Sequence, residues 1–168
     1  MKTLNQYTAA FSMLLACVVP MSQTGAAPIQ MQGDPAGIVA LQTIEKEWNL
    51  AAHEWSADKL AALYTKNAVL FGGRPNLSQG QDGVRAYYNS YVGILKSATL
   101  ELVDQHIVEL ASDTYLAQGY GNFHFWLSGG KESDARMRTT LVLIRHDNRW
   151  RILGHHFSTI PEAPPIPK

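Results

Sequence analysis

The stretch Arg136–Pro161, RMRTTLVLIRHDNRWRILGHHFSTIP, decides how this chain is read. Two β-type runs, Met137–His146 and Arg149–Ser158, flank Asp147-Asn148. A two-residue Asp-Asn loop between apolar segments predicts a hairpin, because both residues tolerate the positive φ of a tight turn. Alternation then assigns the faces. On the second strand Trp150, Ile152, Gly154, His156 and Ser158 share one side, and Arg151, Leu153, His155 and Phe157 take the other. On the first strand Arg136, Arg138 and Thr140 oppose Met137, Thr139, Leu141 and Leu143. One face of the hairpin is therefore expected to carry recognition or chemistry. Pro161 and the run Pro164-Pro165-Ile166-Pro167 end the ladder, since proline has no N–H to donate.

Upstream of the hairpin the pattern is helices first, strands after. Asp34-Pro35 opens a helix with Asp as N-cap and Pro at the first turn. Ile38, Leu41, Ile44, Trp48 and Trp55 then recur at helical spacing, with Glu45, Lys46, Glu47 and Asn49 mostly off that face. Ser56 caps a second short helix running to Tyr64, and Lys66-Asn67 leads into a strand at Ala68–Phe71. Gly72-Gly73-Arg74-Pro75-Asn76 is a loop, and Asp82 starts a helix whose Tyr87, Tyr88 and Tyr91 share a face. Ala98–Glu109 and Tyr115–Leu127 alternate as strands, Gly119 and Gly121 suggesting a bulge or strong bend in the second. Lys131–Ala135 reads as a polar loop. This order predicts an α+β domain with one strongly bent antiparallel sheet wrapped around N-terminal helices.

Several residues together carry a resemblance. Arg138-x-Thr140 followed by apolar residues and a turn, then Trp150, His155-His156, Ser158 and Pro161, is similar to the C-terminal hairpin of the nuclear transport factor 2-like superfamily. Trp48 in a first helix, Ser56-Ala57-Asp58 before Leu60–Tyr64, Ala68–Phe71, Gly80 and Tyr87-Tyr88 fit the same pattern. The match resembles SnoaL-like and SgcJ/EcaC-like proteins and bacterial relatives of the calcium/calmodulin-dependent protein kinase II association domain. It implies a cone-shaped fold whose first helix caps a cavity. That fold hosts isomerases, cyclases, dehydratases and non-catalytic oligomerisation modules, so it implies no single activity.

The chain has 168 residues, a 46% hydrophobic share, and 14 basic against 14 acidic residues, which fits one folded domain and argues against nucleic acid as a partner. Residues 1–27 read as a signal peptide, with Lys2, an apolar run Ala9–Val19 and small residues Thr24–Ala27 before the cut. Residues 28–35 are a linker, 36–161 the domain and 162–168 a Pro-rich tail. The location expected is periplasmic or secreted. Leu14-Leu15-Ala16-Cys17 also resembles a lipobox, which would lipidate Cys17 and hold the protein at a membrane. Ordinary cleavage is favoured, because Val18-Val19-Pro20-Met21 stays apolar. No cysteine follows residue 17, so the domain has neither disulfide nor thiol nucleophile.

The polar faces of the long strands collect His106, Asn122, His124, Trp126, Arg136, Arg138, His156 and Ser158, which a bent sheet is expected to converge on a shared cavity. With Trp48 and Tyr87 from the helices, Asn122, Trp126, both arginines, His156 and Ser158 are the expected ligand-binding residues. The arginines favour an anionic ligand and the aromatic groups an aromatic one. His155 and His156 face opposite sides, so at most one reaches the cavity. Isomerases and cyclases of the resembling fold place an Asp or His on a strand at the cavity floor. Tyr115–Leu127 holds no aspartate, which leaves His124, His106 or Asp104 as the catalytic candidates. No metal and no cofactor are expected: ligand spacing, nucleophile elbow and phosphate-cradling motifs are all missing. Kinase activity is excluded by length and by the lack of its motifs. The expected function is binding of a small anionic or aromatic molecule. The alternative is a cofactor-independent isomerase, cyclase or lyase. Leu141, Leu143, Leu153 and Phe157, lying opposite the cavity side, would be bare in a monomer and predict a homodimer.

Overall fold

The computed structural model of the protein describes residues 31–162. The signal-peptide and lipidation expectations and most of the Pro-rich tail lie outside these residues. The elements run β1 (Met31–Gly33), α1 (Pro35–Ala52), α2 (Ala57–Ala61), β2 (Tyr64–Phe71), β3 (Ser78–Gln79), α3 (Gly80–Asn89), β4 (Leu95–Ala111), β5 (Thr114–Leu127), β6 (Glu132–His146) and β7 (Arg149–Thr159). They build one seven-stranded sheet in the order β1-β4-β5-β6-β7-β2-β3. β4 to β7 form an antiparallel meander, while β1 pairs with β4 and β2 with β7 in parallel. The architecture is the expected α+β one, with a mixed sheet. Among the described residues no helix is long and apolar enough to cross a membrane.

Local chemistry explains the helix starts. Asp34 Oδ1 accepts from the N–H groups of Ala36 and Gly37 at 2.9 and 3.0 Å, with Pro35 in the first turn. Ser56 caps α2 through Lys59 N. That helix stops at Ala61, and Tyr64 to Asn67 belong to β2 instead of to a helix and turn. The expected loop at 131–135 is mostly strand, since β6 begins at Glu132 opposite Trp126. Residues 31–33 of the expected linker are β1.

α1 lies against the sheet with Leu41, Ile44 and Trp48 buried. Polar groups stitch it to β4, which has only the short β1 on its outer side. Asn49 Oδ1 accepts from Leu100 N at 2.7 Å and its Nδ2 donates to Leu100 O at 2.8 Å. Glu45 accepts from Leu102 N at 2.9 Å. These bonds satisfy backbone groups that would otherwise be orphaned at partial burial.

Two bulges decide which side chains face the helices. In β7 the register slips between Val142↔Gly154 and Leu143↔Ile152, leaving Leu153 as the extra residue. Trp150 and Ile152 are directed to the core below it, and His155 and Phe157 above it. In β4, Asp104 (φ 52°) and Gln105 together oppose Gly119. A Cβ on Gly119 would sit 2.5 Å from Asp104 O, so the glycine of β5 admits the bulge while the extra residue is on β4. The turn at Asp147-Asn148 has φ of 50° and 58°, as a tight hairpin requires.

Candidate active site and ligand cavity

Between α1, α3 and the concave side of the sheet lies a cavity of about 290 Å³. Its inner wall is Trp48, Trp55, Tyr87, Tyr88, Phe123 and His155, each at most 7% exposed. Ile94, 49% exposed, and the half-buried Tyr91, Phe125 and Leu127 mark the mouth. Helical spacing on α3 puts Tyr87, Tyr88 and Tyr91 there, and strand alternation on β5 adds Phe123 and Phe125. The rings meet edge to face: Trp48 and Phe123 at 5.9 Å, Trp55 and Tyr88 at 5.8 Å, Trp55 and Tyr91 at 6.0 Å. Gly72 keeps the wall closed, because a Cβ there would lie 2.4 Å from the Tyr87 hydroxyl. No Asp, Glu, Lys or Arg lines this cavity among the described residues.

One polar chain runs through the apolar wall. Trp48 Nε1 donates to Tyr88 Oη at 3.2 Å. Tyr88 Oη and Tyr64 Oη are 2.9 Å apart, and Tyr64 Oη lies 2.8 Å from His155 Nδ1. Trp55 Nε1 donates to Tyr88 O, and Gly73 N donates to Tyr87 Oη. His155 Nε2 is buried without a partner. Burial pushes the Tyr64 and Tyr88 phenols up and the imidazole of His155 down to about 3, the nearby His156 adding to the latter. His155 is therefore neutral at any ordinary pH.

The residues expected at the site divide in two. Trp48 and Tyr87 line the cavity. Asp104, His106, Asn122, His124, Trp126, Arg136, Arg138, His156 and Ser158 do not line it; they lie on the other face of the sheet, in separate local contacts instead of around one cavity. Arg136 donates to Asp104 Oδ2 at 2.8 Å and lies over the Tyr120 ring, Asn122 donates to Glu101, and Arg138 donates to Ser158 Oγ. His124 sits between Asp134 and Glu132, at 2.6 and 3.4 Å, with Trp126 against its ring. His106 is exposed, and His156 meets Phe71. The physical reason is burial: Phe123, Thr139, Leu141 and Leu143 occupy the helix side, and alternation sends their neighbours outward. The Leu153 bulge then exchanges His156 for His155. Leu141 and Leu143 are buried at 1% and 0%, so they offer no bare patch for a dimer.

The sequence pattern does not mark His155, Tyr64, Tyr88 and Phe123 as site residues. The doubled His155-His156 was the available signal, since one of the pair had to face inward; Gly154 beside it hinted at a bulge. Tyr64 offered none, because its partner lies 91 residues away. Among the described residues no cluster of His, Cys, Asp or Glu is arranged to hold a metal ion.

No curated protein matches the chain significantly. Solved structures do. A provisional calcium/calmodulin-dependent protein kinase II association domain from Xanthomonas campestris aligns at 22% identity and TM-score 0.65, over 79% of this chain and 91% of that one. A ketosteroid isomerase-like protein from Erwinia carotovora atroseptica aligns at 15% and 0.61, over 76% and 99%. A hexachlorocyclohexane dehydrochlorinase aligns at 15% and 0.60, over 77% and 95%. These likenesses establish the nuclear transport factor 2-like fold. The SnoaL-like domain profile matches residues 41–162, most of the chain and nearly all of the folded part, and the chain belongs to that family.

Proposed function

We propose that this chain binds one small uncharged molecule with an aromatic or alicyclic body in the cavity under α1 and α3. The observation that carries this reading is the lining itself: closely packed aromatic rings with no carboxylate, lysine or arginine among them. An anionic ligand loses its support, because Arg136 and Arg138 lie on the other face of the sheet. Desolvating a carboxylate against such a wall, with no paired charge, is costly. Quenching of Trp48 and Trp55 fluorescence by 2-acetylnaphthalene and by 2-naphthoate separates the two. The ketone is expected to bind and the carboxylate to fail; tighter binding of 2-naphthoate overturns the reading.

A second reading is cofactor-independent acid–base chemistry at the same cavity, with His155 taking the part expected of His124, His106 or Asp104. It is favoured by the buried, unpartnered Nε2 of His155, a residue of the cavity wall. Structural relatives are named for isomerase and dehydrochlorinase activities. An imidazole depressed to about 3 is a feeble base at neutral pH, so binding stays ahead of catalysis.

Export and self-association complete the proposal. The apolar segment at 9–19 supports export, tested by whether the mature chain starts near Ala27 or carries acyl groups on Cys17. Self-association is supported by Val69, Phe71 and Leu77, exposed by 45%, 48% and 38% around a shallow apolar hollow with His156. Light scattering that gives a monomer mass at micromolar concentration overturns it.

A further inference from the structure

The order of donors in the Trp48–Tyr88–Tyr64–His155 chain has one arrangement that leaves no hydroxyl proton stranded. Trp48 Nε1 can only donate, so Tyr88 Oη accepts from it. The Tyr88 proton must then go to Tyr64 Oη, the other hydrogen-bond partner of Tyr88 Oη. Tyr64, having accepted, spends its own proton on the remaining neighbour, His155 Nδ1. The reverse order would make Tyr88 Oη accept twice and leave its proton buried without an acceptor, at a cost of about 1–3 kcal/mol. A neutral imidazole that accepts at Nδ1 carries its proton at Nε2. That nitrogen is the buried, unpartnered one on a residue that lines the cavity.

We infer that the chain presents His155 Nε2–H to the cavity as a fixed hydrogen-bond donor, and so selects ligands bearing a carbonyl or comparable acceptor. The inference rests on the cavity being a ligand site and adds the chemical class that site takes. The donor is aimed by Tyr64, which never reaches the ligand and acts as a positioning residue. In the catalytic reading the same geometry makes His155 a group that polarises a carbonyl, with no lone pair at Nε2 to abstract a proton. Of the other donors in the wall, both indole N–H groups are spent on Tyr88, and the Tyr88 hydroxyl is bonded to Tyr64; Ser133, Tyr87 and Tyr91 also bring hydroxyls to the lining.

Two measurements test this separately. Long-range ¹H–¹⁵N correlation spectra of the ligand-free protein read the tautomer directly. The expected spectrum has His155 Nε2 protonated and Nδ1 bare; a protonated Nδ1 overturns the inference. In Tyr64→Phe, which keeps the ring and removes the aiming proton, the Nε2–H form is expected to lose its dominance, and an unchanged tautomer overturns the role of Tyr64. The second measurement compares acetophenone with α-methylstyrene, which differ by C=O against C=CH₂ at nearly the same shape. Acetophenone is expected to bind about five- to tenfold more tightly, a neutral hydrogen bond. The preference is expected to vanish in His155→Leu. Equal affinities in the unmutated chain overturn the selectivity. Failure of both probes to bind strikes the cavity reading instead, because the imidazole spectra decide the tautomer without any ligand.

Discussion

His155 and His124 stand on strands of one sheet, and they live under opposite physics. His155 is 5% exposed, hydrogen-bonded to a buried phenol, with its charged form suppressed by desolvation. His124 is in contact with two carboxylates at a side chain 28% exposed. The concave face is a box of aromatic and aliphatic side chains, and the part of the convex face that holds the polar residues carries exposed ion pairs, Arg136–Asp104 and His124 with its two carboxylates. Chemical interest per residue looked greater on the convex face when read as letters. The enclosed volume, however, lies on the concave one.

The largest test of this contrast is truncation on either side. Phe123→Ala, which removes a ring touching Trp48, Phe125 and Phe157, is expected to cost about 3–5 kcal/mol in urea unfolding. Trp126→Ala, three residues further along β5 and facing outward, is expected to cost much less. Equal losses would mean that the two faces do not differ as described.

Acid sharpens the contrast next. The folded-state pKa of His155 lies below its unfolded value, so between about pH 6.5 and 3 the unfolded chain binds a proton that the native chain refuses. Stability should therefore fall with acid, by about 1.4 kcal/mol per pH unit once well below pH 6.5. Read between pH 6.5 and 5, ahead of most carboxylate titration, the slope should flatten in His155→Gln. A slope that survives this substitution would place the buried proton refusal elsewhere.

The smallest effect belongs to the outer ion pairs. Arg136→Ala breaks the contact with Asp104 at 46% and 53% side-chain exposure and should change stability by about 1 kcal/mol or less. Binding of 2-acetylnaphthalene should be unaffected, as Arg136 does not line the cavity. A lost affinity would reopen the convex face as the site.

What could be read from the sequence was what local chemistry sets. Asp34-Pro35 announces a cap, Asp147-Asn148 a tight turn, and Trp48 and Tyr87 a buried helix face; each is decided by residues within one or two turns. The faces of the strands were not readable, because they depend on register between strands. Leu153 is an ordinary β residue in composition, and only its lack of a partner on β6 makes it a bulge. That single slip moved the inward histidine from position 156 to 155. Asp104 did the same for β4, where the glycine across from it took the blame. Tyr64 looked like the end of a helix because its neighbours Leu60 and Leu63 fit one. Its pairing with Ile152 on β7 lies beyond any local window.

That pairing also sets when the binding site comes into being. β4 to β7 can zip up hairpin by hairpin, through contacts between segments adjacent in sequence. β2 has to wait for β7, and the Tyr64–His155 bond closes a loop spanning 91 residues. Long closures of this kind carry an entropy cost before any contact repays it, and they slow folding. A growing chain on the ribosome thus has its first helices and β2, with only the two-residue β3 to pair with that strand, long before β7 arrives. The aromatic pocket is a late event of synthesis, absent from every nascent chain that stops short of β7.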